Sequence, residues 1–246
     1  MLNFFKNNNL TAPAFIISLS IILTGLIFAT SANTFANKTD SITVTGSAER
    51  FVTSDTAKWT INITNRVNDI KSGNDSMQTG SNAVVKYLSK AGIDNKNIQL
   101  SGTSNVPVCA IGAQGYENCA LGIVGYNFGQ SVTVEGDNVD KIKSLSKEIN
   151  GNFNNINMTS SVEYYYNNLK NIRAEMLSEA TKNALERAKS VADAGGANIG
   201  KITSLSSGVF QVTARNSVNY DDSGSYDTAE MEKKITATVK ANFSVK

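Results

Sequence analysis

AKWTINITNRVNDIKSGNDSMQTGSNAVVKYLSKAG, residues 57–92, changes its hydrophobic period halfway, and that change decides the fold class. Over Ala57–Val67, Trp59, Ile61 and Ile63 alternate with Thr60, Asn62 and Thr64, the two-residue period of a strand with one face buried. From Asp69 onward Ile70, Met77, Val84, Leu88 and Ala91 recur at helical spacings, and Gly92 supplies a stop. Gly73 and Gly80 fall inside this helix and weaken its first half. A half-buried strand followed at once by an amphipathic helix implies helices laid on a sheet.

The rest of the chain follows the same scheme. Ser41–Ala48 alternates Ile42, Val44 and Gly46 against Thr43, Thr45 and Ser47. Asn97–Val108, Gly122–Glu135, Ile156–Tyr166, Ile199–Val212 and Lys234–Val245 read as further strands, and Asp137–Asn150 as a short helix N-capped by Asp137. Asn168–Ala194 is the longest helix, with Leu177, Ala180, Ala184, Ala188 and Val191 as its inward stripe. Its polar face carries the acid-before-base pairs Glu179–Lys182 and Glu186–Lys189. Ala91-Gly92 before Ile98 and Ala194-Gly195 before Ile202 share one cadence, which suggests a duplicated strand-helix-strand plan. The predicted fold class is α+β, with helices packed on mostly antiparallel sheet. Ser41–Ala48 and Gly122–Glu135 are the expected sheet edges, open to pairing between subunits.

Composition excludes several chemistries. The 246 residues contain no histidine, so no Ser-His-Asp triad, Cys-His pair or His-ligated zinc site can be built. Two cysteines cannot make a four-thiolate metal site. With 23 basic and 21 acidic side chains the net charge is +2, too balanced for a nucleic-acid footprint.

The N-terminus reads as an address. Lys6 precedes the apolar run Ala14–Thr30, and the small-residue exit Thr34-Phe35-Ala36 follows, the three parts of a secretory signal peptide over residues 1–36. The predicted domain is therefore 37–246, in the periplasm; an uncleaved inner-membrane anchor is the alternative. In an oxidising compartment Cys109 and Cys119 are most simply a loop-closing disulfide, worth about 2.5–3 kcal/mol in the chain-entropy model. A redox pair is the alternative, but it would normally use C-x-x-C spacing.

No other constellation points to catalysis, a cofactor or a metal. Asp221, Asp222 and Asp227 with Gly224 could loosely ring a calcium ion, but the spacing does not fit an EF-hand, and a solvated loop accounts for Arg215–Thr228. Tyr164-Tyr165-Tyr166 on a strand sends alternate rings to opposite faces, which reads as core plus surface rather than a stacking platform. The glycines around Gly112, Gly115, Gly122 and Gly125 match neither a P-loop nor a dinucleotide fingerprint.

Three stretches, in order, resemble the SIMPL family: SITVTGSAERFVTSDTAKWTINI from Ser41, GYNFGQSVTVEGDNVDKIKSL from Gly125, and NIRAEMLSEATKNALERAKSVADAGGANIGKITSLSSG from Asn171. ITATVKANFSVK is similar to the family's terminal strand. Ser54 departs from the pattern, since members commonly carry proline before the Asp-Thr-Ala that is here Asp55-Thr56-Ala57, and a looser turn is expected there. The resemblance implies an α+β bacterial envelope protein that forms homo-oligomers, including ring-like assemblies, and serves envelope integrity or oxidative-stress defence. It supplies no catalytic residues. The expected function is thus a non-enzymatic periplasmic homo-oligomer with itself and the envelope as partners. The alternatives are a monomeric module for a peptide or small ligand, using the Tyr164–Tyr166 strand or the Arg215–Thr228 loop, and a histidine-free hydrolase.

Overall fold

A computed structural model of the chain describes residues 16–27, 40–217 and 224–246. Helix α1 covers residues 16–27 with its side chains exposed. The elements that follow are β1 (Ser41–Thr53), β2 (Thr56–Val67), α2 (Ile70–Lys90), β3 (Ile98–Leu100), β4 (Ser104–Cys109), β5 (Ile123–Gly136), α3 (Val139–Asn152), β6 (Met158–Tyr165), α4 (Leu169–Ala194), β7 (Ile199–Ser207), β8 (Gln211–Ala214) and β9 (Glu232–Val245). Helices on antiparallel sheets make the α+β class that the periodicity implies. Two compact units are formed; of the described residues one holds 46–183, 207–217 and 224–239, and the other 16–27, 40–45, 184–206 and 240–246.

In the larger unit a five-stranded sheet has the order β3-β5-β2-β6, with β4 also pairing β5. Ala57, Trp59, Ile61 and Ile63 are all buried on one face of β2, as their alternation requires. Trp59 sits opposite Val134 on β5 and Val162 on β6, and its indole N–H donates to Ser160 Oγ at 2.7 Å. Met77, Val84 and Leu88 of α2 and Val139, Ile142 and Ile149 of α3 pack into the same core. Asp69 caps α2 by accepting from the Ser72 N–H at 2.9 Å. The helix ends where expected, with Gly92 at φ +80°.

A second sheet has the order β1-β9-β7, and β8 pairs β9. Within the larger unit Met176, Val212, Ile235 and Ala237 form one apolar cluster, and Ala48, Ala180 and Val239 another. The smaller unit has its own cluster of Ala184, Ala188, Ala241 and Phe243. There Asn198 and Lys246 exchange two backbone hydrogen bonds, and Val245 N–H donates to Asp40 O. Residues 201–207 of β7 are exposed on both faces.

Several sequence expectations are corrected. The runs Asn97–Val108 and Ile199–Val212 each break into two short strands, because β3 and β4 pair different stretches of β5, and β8 is a separate strand on β9. The N-cap of α3 is Asn138, which accepts from Lys141 N–H, not Asp137. On α4 the buried stripe is Met176, Ala180, Ala184, Ala188 and Ala192, at steps of four; Val191 is exposed. Glu179 pairs with Arg50 of β1, as does Glu175, in place of the expected partner Lys182. Among the described residues no ion pair joins Glu186 and Lys189. β5 is interior to its sheet, so Gly122–Glu135 is no edge, whereas β1 does end its sheet. The strands flanking α2 share one sheet and those flanking α4 do not, so the shared cadence marks two helix ends and not a repeated topology. The turn at Ser54 is pinned, not loose: Ser54 is buried, and both its N–H and its hydroxyl donate to Met231 O at 2.9 Å, a pair of bonds proline could not make.

Candidate functional site

A cleft of about 660 Å³ opens in the larger unit where β2 ends beside the first half of α2 and the α3–β6 connection crosses over. Its floor is apolar. Ile63 is the last fully buried residue of β2, Met77 and Gly80 come from the buried face of α2, and Ile156 from the connection. Its rim is uncharged and polar, with Thr64, Asn65, Ser76, Thr79, Asn152, Asn155 and Asn157; Asp75 is the only ionisable group lining it.

Local hydrogen bonds fix this rim. Asn65 Nδ2 donates to Ser76 Oγ at 2.6 Å and ties β2 to α2. Asn157 accepts from Thr64 N–H through its backbone carbonyl at 2.9 Å and donates from Nδ2 to Thr64 Oγ1 at 3.1 Å. Phe153, the C-cap residue of α3, packs edge-on against Tyr87 with ring centroids 5.5 Å apart, while Asn152 Nδ2 donates to the Tyr87 hydroxyl. The Asn155 side chain has no partner among the described residues. Gln130 Oε1 is a buried acceptor without a partner; it lies opposite Ile63 in the β2–β5 register but outside the cleft lining.

A second feature is the hairpin of β4 and β5. Cys109 and Cys119 form a disulfide, with Cα atoms 4.7 Å apart, as the sequence reading expects. The stapled tip is held by its own backbone: Ala110 N–H to Gly122 O, Asn118 N–H to Ala110 O and Gly112 N–H to Tyr116 O. Yet Val106, Ile111, Tyr116, Leu121, Ile123 and Val124 are each more than half exposed. Across residues 104–124 the single charge is Glu117.

The other sequence candidates separate. Asp221 and Asp222 lie outside the described residues. Asp227 is engaged by a cation of the chain itself: it pairs at 2.7 Å with Lys233, whose side chain is fully buried and also donates to Asp227 O. Burial works to raise the Asp227 pKa, but hydrogen bonds from Lys233 and the Glu230 N–H outweigh it and hold the carboxyl below its ordinary value. Tyr164 is buried, and burial raises its pKa; Tyr165 packs beside Tyr226, whose hydroxyl accepts from Tyr166 N–H. Tyr165 and Tyr166 are both half-buried, and Tyr166, just past the end of β6, packs against the Met176 cluster, so the run is core at Tyr164 and only partly surface beyond it. Among the described residues no group of three acidic or cysteine side chains could hold a metal ion. Burial also raises Tyr165, and the other shifted carboxylates are surface caps and an ion pair: Asp69 and Asp94 are lowered by backbone N–H bonds, and Glu175 by the Arg50 guanidinium. None of these groups lines the cleft. No described helix is long and apolar enough to cross a membrane.

Asp55 shows what the Asp-Thr-Ala motif does. Its carboxylate accepts from the backbone N–H groups of Asn167 and Asn168 and from Asn168 Nδ2, closing the turn that leads into α4. Ala57, two residues on, is fully buried in the sheet core. With this motif, the two sheets and the long alanine-rich helix in place, the chain is a member of an α+β family. That family is SIMPL, described as "Protein of unknown function (DUF541)", whose model matches residues 42–243. No curated protein matches the chain.

Proposed function

We propose that this SIMPL protein is a non-catalytic, exported homo-oligomer of the periplasm that supports envelope integrity or oxidative-stress tolerance. The observation that carries self-association is the stapled β4–β5 hairpin, an apolar tip already rigid before any partner arrives, so little ordering entropy is lost on docking. Its chemistry favours a second protein surface over a lipid one, since no lysine or arginine lies in residues 104–124 to meet anionic headgroups. The exposed end strand β7, with Ile202 and Leu205, offers a second surface of the same kind. Export rests on the leader-like residues 1–36, and the stress role on the family resemblance alone.

Light scattering on protein recovered from the periplasm tests this. An oligomer at tens of micromolar, beginning at Asn37 by intact mass, is expected, and Ile111→Asp with Leu121→Asp should shift it towards monomer without changing the circular dichroism. A wild-type monomer overturns the assembly reading and leaves the binding module, which the cleft favours. Recovery of residues 1–36 in a membrane fraction replaces export by anchoring.

A further inference from the structure

We infer that the cleft between α2, β2 and the α3–β6 connection is a binding site for an uncharged oligosaccharide. The site is independent of assembly, and none of its lining belongs to the hairpin or to β7.

Four observations converge. The rim is built of amides and hydroxyls, groups that donate and accept alike, as sugar hydroxyls do. Part of that capacity is unspent. Asn65 and Asn157 use their Nδ2 donors within the protein and leave their Oδ1 acceptors open, and Asn155 uses neither. The floor of Ile63, Met77, Gly80 and Ile156, with the Phe153 ring beside it, suits the C–H face of a pyranose. The volume of about 660 Å³ falls in the ordinary range for small-ligand sites, roughly 300–1,000 Å³, and has room for more than one ring.

Charge and backbone pairing narrow the ligand class. Asp75 is exposed, and the adjacent cation Lys71 already sits 3.4 Å from it. The lining itself contains no lysine or arginine, so nothing in it compensates an anionic ligand. An extended peptide would seek a free strand edge, but at the cleft Ile63 of β2 is paired with Gln130 of β5 and with Met158 of β6, and the Thr64 N–H just beyond is taken by Asn157 O. Acetamido groups match this lining best, because their N–H and C=O complement the asparagine amides while their methyl groups meet the floor.

The test is a titration of the purified protein, isotope-labelled for amide and methyl NMR, with triacetylchitotriose as probe and maltotriose and trialanine as comparisons. Saturable shifts at Ile63, Met77, Gly80 and Ile156 with a sugar are expected, chitotriose binding the tighter. Asn155→Ala removes an exposed side chain that bonds to nothing, so the fold is retained, and affinity should fall about fivefold, the worth of one ordinary hydrogen bond. Gly80→Leu should fill the cleft and abolish the shifts. The inference is overturned if neither sugar gives saturable shifts at millimolar concentration, if the shifts map elsewhere or ignore both substitutions, or if trialanine alone binds. Because the readout is the cleft's own resonances, a monomeric protein that binds sugar leaves this inference standing while removing the assembly reading.

Discussion

Adding one methyl group at either of two glycines in α2 should change stability in opposite directions. Both sit in the helix interior, where alanine outranks glycine by about 0.5–1 kcal/mol. At Gly80 a Cβ would lie 3.6 Å from Ile63 Cγ2 and 3.9 Å from Ile156, ordinary van der Waals contact, so the helix gain is kept. Gly80→Ala should therefore stabilise by about 1 kcal/mol. At Gly73 the same Cβ would overlap three carbons of the Phe128 ring, which is buried on β5. Overpacking of that kind costs about 1–3 kcal/mol, so Gly73→Ala should lose about 1–2 kcal/mol after the helix gain is counted. Trp59 is the sole tryptophan and lies in this core, so its fluorescence in a urea titration reports the right unit. With an m-value of about 2–3 kcal/mol/M, the two midpoints should move apart by about 1 M. Phe128→Leu relieves the overlap, so the double variant with Gly73→Ala should be more stable than the summed single losses by about 1 kcal/mol. Equal stabilisation by both alanines, or no coupling to Phe128, would refute the packing argument.

Three further outcomes follow from named bonds. Asp227→Ala leaves the buried Lys233 ammonium without its carboxylate and should cost about 3–5 kcal/mol in a thermal or urea melt. Because the folded Asp227 pKa is depressed, its contribution is present above the ordinary carboxylate range and lost as pH falls through the folded value. Wild-type Tm should thus drop on acidification more steeply than that of the Asp227→Ala variant; parallel slopes would count against the pair. Asp55→Ala removes the acceptor at the entry to α4 and should cost about 1–2 kcal/mol, with faster amide exchange at Asn167 and Asn168 as the local sign. Replacing Cys109 and Cys119 by serine should cost roughly 2–3 kcal/mol, loosen exchange across residues 110–122 and leave the Trp59 core folded. Two alkylatable thiols in native exported protein would contradict the staple.

What could be read in the sequence was whatever one period or one residue type encodes locally. β2 was legible because a sheet face against helices demands strict alternation, and Trp59, Ile61 and Ile63 supply it. The stop at Gly92 was legible because the positive φ there favours glycine. Gly73 could be read only as a weak point, since its reason lies across the core in Phe128, a residue 55 positions later. For the same reason β5 could be mistaken for an edge: alternation tells which face of a strand is buried and says nothing about which strands flank it. The hairpin is a case of the opposite kind. Val106, Ile111, Leu121 and Ile123 have the composition of core residues, yet all four are exposed, Val106 and Ile123 on paired strands and Ile111 and Leu121 in the stapled turn between them. The cleft was the least legible, because its lining comes from three separate stretches, 63–65, 75–83 and 152–157. Asparagine and serine carry no periodic signature, so nothing in Gly151–Asn157 itself announces that Asn157 closes one wall with Thr64. Features that depend on who the neighbour is, and not on local period, are the ones on which the proposed assembly and sugar site rest. The exposed residues named in those proposals, Asn155 and the hairpin tip, are accordingly ones whose packing role is smallest.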